Sequence, residues 1–263
     1  MRTLFKYSSL WWLLTVNSFQ IVLTSRTSAT LFVIAKLLRF VFFAVFLFAL
    51  FAGTQVIANY SLLQAVIFYL TFNLIDTATQ LFFREVYRFR QQVVSGDFDL
   101  VLVKPSSPLF RALAGGADPL DLIMLIPYVS SLVYAVSRLG SLHITTVGLY
   151  ILLLMNGFFI ATGFHILVLA LAVATTEIDH AIMIYRDITS MARLPVDIYR
   201  EPLRSFITFV VPVGVMMTFP AKALFGLLTP TAVIVSFLIG IAFLLVSVRV
   251  WGASLTRYAS ASS

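Results

Sequence analysis

Residues 146–173 read TVGLYILLLMNGFFIATGFHILVLALAV, 28 positions without an Asp, Glu, Lys or Arg. At 1.5 Å of helical rise per residue, such a run is long enough to cross the roughly 30 Å apolar core of a bilayer. Similar runs recur in both directions along the chain: 31–51, 61–83 and 119–137 before it, 203–219 and 231–251 after it. The 263 residues are 60% apolar and 11% charged, with mean hydropathy +1.00. A soluble domain has about 25% charged residues. These values predict an all-α integral membrane protein with six transmembrane helices.

Polar punctuation gives the expected helix ends. Asp118, Pro119 and Asp121 supply an N-cap, a proline at the first helical position and an acid in the first turn, so a span should open there, with Pro127 kinking it. Pro212 and Pro220 predict that 203–219 is broken or forms a re-entrant hairpin near the outer surface. Thr176 with Asp179 repeats a capping pattern. It opens an amphipathic segment in which Ile178, Ile182, Tyr185 and Ile188 oppose Asp179, Arg186, Asp187 and Arg193, and which is expected to lie on the inner face. At the N-terminus the short apolar stretch 10–16 lacks a small-residue cleavage site, which argues against a signal peptide. Leu4, Tyr7, Trp11, Leu14 and Ile21 share one helical stripe, opposite Arg2 and Lys6, so residues 1–26 are expected to form an amphipathic helix at the membrane interface.

The charges set the orientation. The net charge is +7, and of 18 Lys and Arg residues all but Arg138 and Lys222 fall in the N-terminal segment, the loops 84–118 and 174–202, the tail, or the expected inner ends of spans. The positive-inside rule then gives N-in, C-in topology with both long loops cytoplasmic. The basic residues are dispersed between apolar runs, which speaks for topology and against nucleic acid as a partner. With no Cys there is no disulfide framework or thiolate chemistry.

Several function classes recede. The phosphate-cradling pattern G-x-x-x-x-G-K-S/T is missing; the glycine pair Gly115-Gly116 lacks the Lys and hydroxyl residue, so ATP hydrolysis is expected in another subunit. His143, His165 and His180 lie far apart, and neither H-E-x-x-H nor G-x-S-x-G appears, which disfavours a membrane-embedded lipid-modifying enzyme and predicts no catalytic residue, metal or cofactor. An ion-coupled secondary transporter would favour acids in equivalent spans of two halves. Only Asp76 is a candidate, without a counterpart.

The loop FREVYRFRQQVVSGDFDLVLVKPSSPLFRALAGGADPLD, residues 83–121, carries the most information. Phe82, Val86, Phe89 and Val93 form one helical face, so the second span is expected to continue past the bilayer to Gly96. Ser107 followed by Pro108 should open a second short helix over 109–113, a docking element at the tip, although a plain connector is the blander reading. Within the spans, Asn73, Asp76 and Gln80 share one face of the second span, as part of a translocation path or dimer seam, or with Asp76 simply paired to Lys36, Arg39 or Arg84. His165 is expected to be a packing residue rather than a proton relay.

Phe83, Arg84, Gly96, Asp97, Asp99, Leu102, Pro105, Pro108, Leu109 and Phe110 resemble the cytoplasmic loop of ABC-2-type transporter permeases, in the compact six-span exporter subgroup. Leu194-Pro195, Ile198-Tyr199 and the run from Leu203 through Pro212 to Pro220 are similar to that family's segment before the last span. The resemblance implies a permease subunit of a prokaryotic inner membrane, pairing with a second permease chain, identical or related, and with separate cytoplasmic ATPase subunits. It also implies a coupling helix at Pro105, Ser107, Pro108, Leu109, Phe110 and Arg111, and export of a small-molecule, peptide or lipid-like cargo through membrane lipid.

Overall fold

The computed structural model describes residues 2–140, 142–175 and 178–258. The expected capping pair Thr176 and Asp179, the side chain of Ile178 and the serine-rich end of the tail lie outside the described residues. The chain is an all-α membrane protein: among the described residues there is no strand, only an isolated bridge between Ile57 and Tyr60. Five helices are long and apolar enough to span a bilayer. They are α2 (Arg26–Ala52), α3 (Leu62–Phe83, continuing through a 3-10 turn at Arg84–Arg88 into α4, Phe89–Val94), α7 (Pro119–Ser137), α8 (Ile144–Thr175) and α12 (Pro230–Leu255). Preceding them is α1 (Arg2–Thr24). The loop after α3 also holds α5 (Asp97–Leu102) and α6 (Pro108–Leu113), and α9 (Ile178–Ser190) follows α8.

Caps stand where the sequence puts them. The Asp118 Oδ1 accepts from the Leu120 N–H at 2.8 Å, and the Ser107 hydroxyl accepts from the Phe110 N–H at 3.3 Å, each ahead of a proline. A further capping box at Ser61 and Gln64 opens α3; its S-x-x-Q spacing was legible and was missed.

The bundle is centred on α8. Gly157 lets the Met216 carbonyl come close, while Gly163 faces Phe243 and Ser247 of α12. Asn156 donates from Nδ2 to the Ser236 carbonyl at 3.0 Å and occupies the space a side chain at Gly240 would need. At one end a core of Phe89, Phe98, Leu169, Ala172, Tyr185 and Trp251 binds the 84–113 loop to α8, α9 and α12. The loop is therefore part of the fold. Both ends of the chain meet this same loop: Tyr7 of α1 touches Phe110, ring centroids 4.7 Å apart, and Tyr258 touches Phe98 at 5.4 Å.

Residues 174–202 depart from expectation. They do not stay at that end. α9 runs back along α8: Ala181 packs with the cluster around Val168 and Val173, whereas Ile188 and Met191 reach the cluster around Ile160. Asp197 then accepts from the Tyr60 hydroxyl at 3.0 Å and from Lys222 Nζ at 2.7 Å, both at the opposite end of the bundle. Burial, reinforced by the Asp197 carboxylate, holds the Tyr60 phenol well above its ordinary pKa, so it stays a donor there. Thirteen residues of α9 and the 3-10 turns at Met191–Arg193 and Val196–Ile198 thus cover about one bilayer thickness.

The expected fifth span, 203–219, is two arms, Leu203–Val210, opened by α10 (Leu203–Ser205), and Gly214–Leu224, closed by α11 (Phe219–Leu224), meeting at 79° around Pro212. Its approach and its exit are tied together by Asp197 to Lys222 and by the Val196 N–H to the Thr218 hydroxyl at 3.3 Å. The prolines allow a broken span or a re-entrant hairpin, and ends tied side by side fit the hairpin. The reason lies in composition: α9 is too polar on one face to register as a span, while the hairpin is apolar enough to imitate one.

Candidate functional site

One charge of α9, Arg186, lines a groove between α9, α2 and α3. Lys36 and Arg39 on α2, Asn73, Asp76 and Gln80 on α3, and Arg186 on α9 surround a narrow neck of about 30 Å³. Two larger chambers flank the neck. One, about 460 Å³, lies toward the loop end and is walled by Phe32, Arg84, Tyr87 and Arg88 together with Lys36, Arg39 and Arg186. The other, about 570 Å³, lies deeper and is walled by Leu38, Phe42, Phe43, Phe46, Tyr69, Phe72 and Arg193. Six cations and one carboxylate, Asp76, line the three.

Local hydrogen bonds fix the neck. Gln80 donates from Nε2 to Asp76 Oδ2 at 2.8 Å and accepts from Lys36 Nζ at 3.3 Å; Asn73 donates to the Tyr69 carbonyl at 2.7 Å. The structure thus brings Asn73, Asp76 and Gln80 together on the groove wall. It does not give Asp76 the partners anticipated for it. Lys36 forms its ion pair with Asp121, and Arg84 approaches Asp118 at 3.3 Å and Asp121 at 3.9 Å. Asp121, read from sequence as a first-turn acid alone, is the fully buried anchor of α2, α3 and α7. No spacing in the sequence links Lys36 to a residue 85 positions away.

His165 behaves as a packing residue. It is buried among Phe83, Tyr87 and Tyr185, with Nδ1 on the Ala161 carbonyl at 2.8 Å.

The second candidate region is the loop tip. α6 is present with its serine cap and leading proline, but Leu109 and Phe110 are not free anchors. Leu109 packs on the loop-end core, and Phe110 is half-buried against Tyr7. Tyr7 Oη also accepts from the Ser107 N–H at 2.9 Å, and Lys6 donates to the Pro105 carbonyl. Of the expected apolar stripe of α1, Tyr7 and Trp11 face protein, Trp11 stacked on Phe82, as does the neighbouring Thr15, whereas Ile21 is exposed. The outward stripe of α1 is Phe5, Trp12, Phe19 and Leu23. What the loop tip leaves open is Leu100, Val103, Lys104 and Pro105, with Val103 81% exposed.

The glycine pair has a packing role. Gly116, at φ +93°, lies where any Cβ would be 2.5 Å from the Leu14 carbonyl carbon, and the Ala117 N–H donates to the Thr15 hydroxyl at 3.0 Å. The backbone there seats α1.

The family model described as ABC-2 family transporter protein matches residues 30–262. Neither a curated protein nor a solved structure matches the chain.

Proposed function

This chain belongs to the ABC-2 transporter family and is a membrane permease of ABC-type transport, and from that premise we propose that it is the half-permease of an exporter, assembled with a second permease chain and with separate ATP-binding subunits. The observation that carries the reading is the loop 84–118. It is packed into the bundle through Phe89 and Phe98 and ends in a capped, proline-led helix beside an exposed apolar tip. A rigid protrusion of that kind transmits force, where a floppy connector would dissipate it.

In this proposal the loop end is cytoplasmic, as the excess of lysines and arginines at that end supports even with Arg138, Arg200, Arg204 and Lys222 at the other, and the ATPase seats on the tip. The sequence-derived set Pro105, Ser107, Pro108, Leu109, Phe110 and Arg111 frames the docking helix; the exposed contact is Val103 with Pro105, and Arg111 sets register. A buried apolar anchor is worth about 2 kcal/mol, or roughly thirtyfold in affinity. Val103→Asp should therefore reduce copurification of a co-expressed ABC ATPase at least tenfold, while Phe110→Ala, which loosens α6 from Tyr7, should have a smaller effect. Unchanged copurification and export in both variants would remove the coupling assignment.

The proposed topology has its own test. In sealed cells an impermeant thiol reagent should label Arg200→Cys, an exposed site beside the Tyr60 end, and should leave Ser107→Cys unlabelled until the cells are opened. Labelling of Ser107→Cys from outside would invert the orientation, and protection of Arg200→Cys would return residues 174–202 to the inner face.

A further inference from the structure

We propose that the groove between α2, α3 and α9 binds an amphiphile with a phosphate-bearing anionic head and an apolar tail, drawn sideways from the leaflet at the loop end, and that this amphiphile is the cargo. The transport half of this statement rests on the permease reading above; the binding half does not.

Three observations carry it. First, the groove is graded along α2: the cations Lys36 and Arg39 come first, and Phe42, Phe43 and Phe46 follow within two turns, so a basic chamber leads into an aromatic one. That order matches a lipid-like molecule standing in its own leaflet with the head at the interface. Second, the positive charge there exceeds what the protein neutralises. Six cations meet three carboxylates: Asp121 takes up Lys36, Asp118 and Asp121 take up Arg84, and Asp76 faces Lys36, Arg39 and Arg186 from the neck, yet among the described residues Arg39, Arg88 and Arg186 form no ion pair. Unpaired cations at membrane depth are expensive unless water or an anion meets them, and phosphate is the group that arginine forks fit best. Third, the deeper chamber is open toward lipid. Leu38, Phe42 and Phe46 are 50%, 66% and 49% exposed along its edge, while Arg193 lies between the rings of Phe43 and Phe72, 5.9 and 5.7 Å from their centroids.

The alternatives fit less well. A small soluble anion would leave a chamber of about 570 Å³ lined mostly by apolar side chains unfilled, and an uncharged lipid would leave the cations unanswered.

The test uses the purified full-length chain in neutral detergent with fluorescently labelled phosphatidic acid, and phosphatidylcholine of the same chain length and label. The anionic probe should bind at least about tenfold tighter, the effect of roughly one charge-assisted contact. Arg39→Gln with Arg186→Gln should abolish that preference, Arg39→Lys with Arg186→Lys should keep most of it, and Arg138→Gln, remote from the groove, should leave it intact. Inorganic phosphate in large excess should not displace the lipid. Because the glutamine pair removes two charges from a packed region, a second measurement keeps the native charges. The chain has no Cys, so Ala35→Cys, lining both large chambers, can be reacted with a maleimide, and phosphatidic acid should slow the reaction about fivefold or more relative to phosphatidylcholine. Equal binding of the two probes, displacement by phosphate, or equal labelling rates would each overturn the site. Loss of lipid selectivity with ATPase copurification intact would sink the cargo assignment and leave the permease reading standing; the reverse result would do the opposite.

Discussion

Valine at position 157 should leave little folded protein. A Cβ on Gly157 would lie 2.5 Å from the Met216 carbonyl oxygen and 3.2 Å from Ile75 Cδ1, and the first of these is backbone inside the hairpin arm, which cannot rotate away. Relief would require α8 to part from the Gly214–Leu224 arm and from α3 together, opening the cluster of Phe72, Ile160, Val213 and Met216. Overpacking of a well-filled core costs about 1–3 kcal/mol and more where backbone must shift, so a loss of about 3 kcal/mol or more is expected. Gly148→Val on the same helix, where a Cβ meets nothing within 4 Å, is the matched control. The measurement is the yield of monodisperse protein and its thermal unfolding midpoint in detergent; equal values for the two variants would show that α8 does not need its close approach.

The next largest loss should come from Asp121→Asn. Lys36 pairs with this carboxylate, Arg84 approaches it at 3.9 Å from its closer contact with Asp118 at 3.3 Å, and Asp121 has no solvent to fall back on. Removing one partner of a buried ion pair costs about 3–5 kcal/mol, because the other, here Lys36, loses its ion-pair partner away from bulk water. Asp76→Asn should lose far less, about 1 kcal/mol, since the amide oxygen can still accept from Gln80 Nε2. Denaturant midpoints of the two variants decide the matter. A larger drop for Asp76 would move the structural anchor to the neck and reverse the roles assigned here. Replacing Lys36 and Asp121 together with methionine and leucine should recover much of the loss, as apolar substitutes for buried pairs often do.

The five long spans were legible because each is an apolar run with polar punctuation: Asp118-Pro119 marks the first turn of α7 to the residue, and Phe89 and Val93 turn inward as their spacing says. The course of α9 toward the other end of the bundle was not legible. Asp179, Arg186 and Asp187 make it look like a surface helix, and only the contact of Asp197 with Tyr60 and Lys222, 137 and 25 positions away, shows where it goes. The candidate site divides in the same way. Asn73, Asp76 and Gln80 were found from helical spacing within one span. The cations facing them come from α2 and α9, and no local pattern announces that three separated segments share a groove. At the loop tip the helix and its cap were readable, whereas the burial of Phe110 depends on Tyr7, about a hundred residues earlier.

The seat of α1 on Gly116 has a mechanical consequence. Tyr7 on Phe110 at one place, and Leu14 and Thr15 on the backbone of Gly116 and Ala117 at another, two turns on, fasten α1 to the loop, so the two move together. Under the proposed coupling, a stroke delivered to α6 is loaded with an amphipathic float whose keel, Phe5, Trp12, Phe19 and Leu23, is immersed in the lipid surface. The stroke then does work against the lateral pressure and viscosity of that surface as well as against the bundle, which makes the bilayer itself part of the engine's resistance.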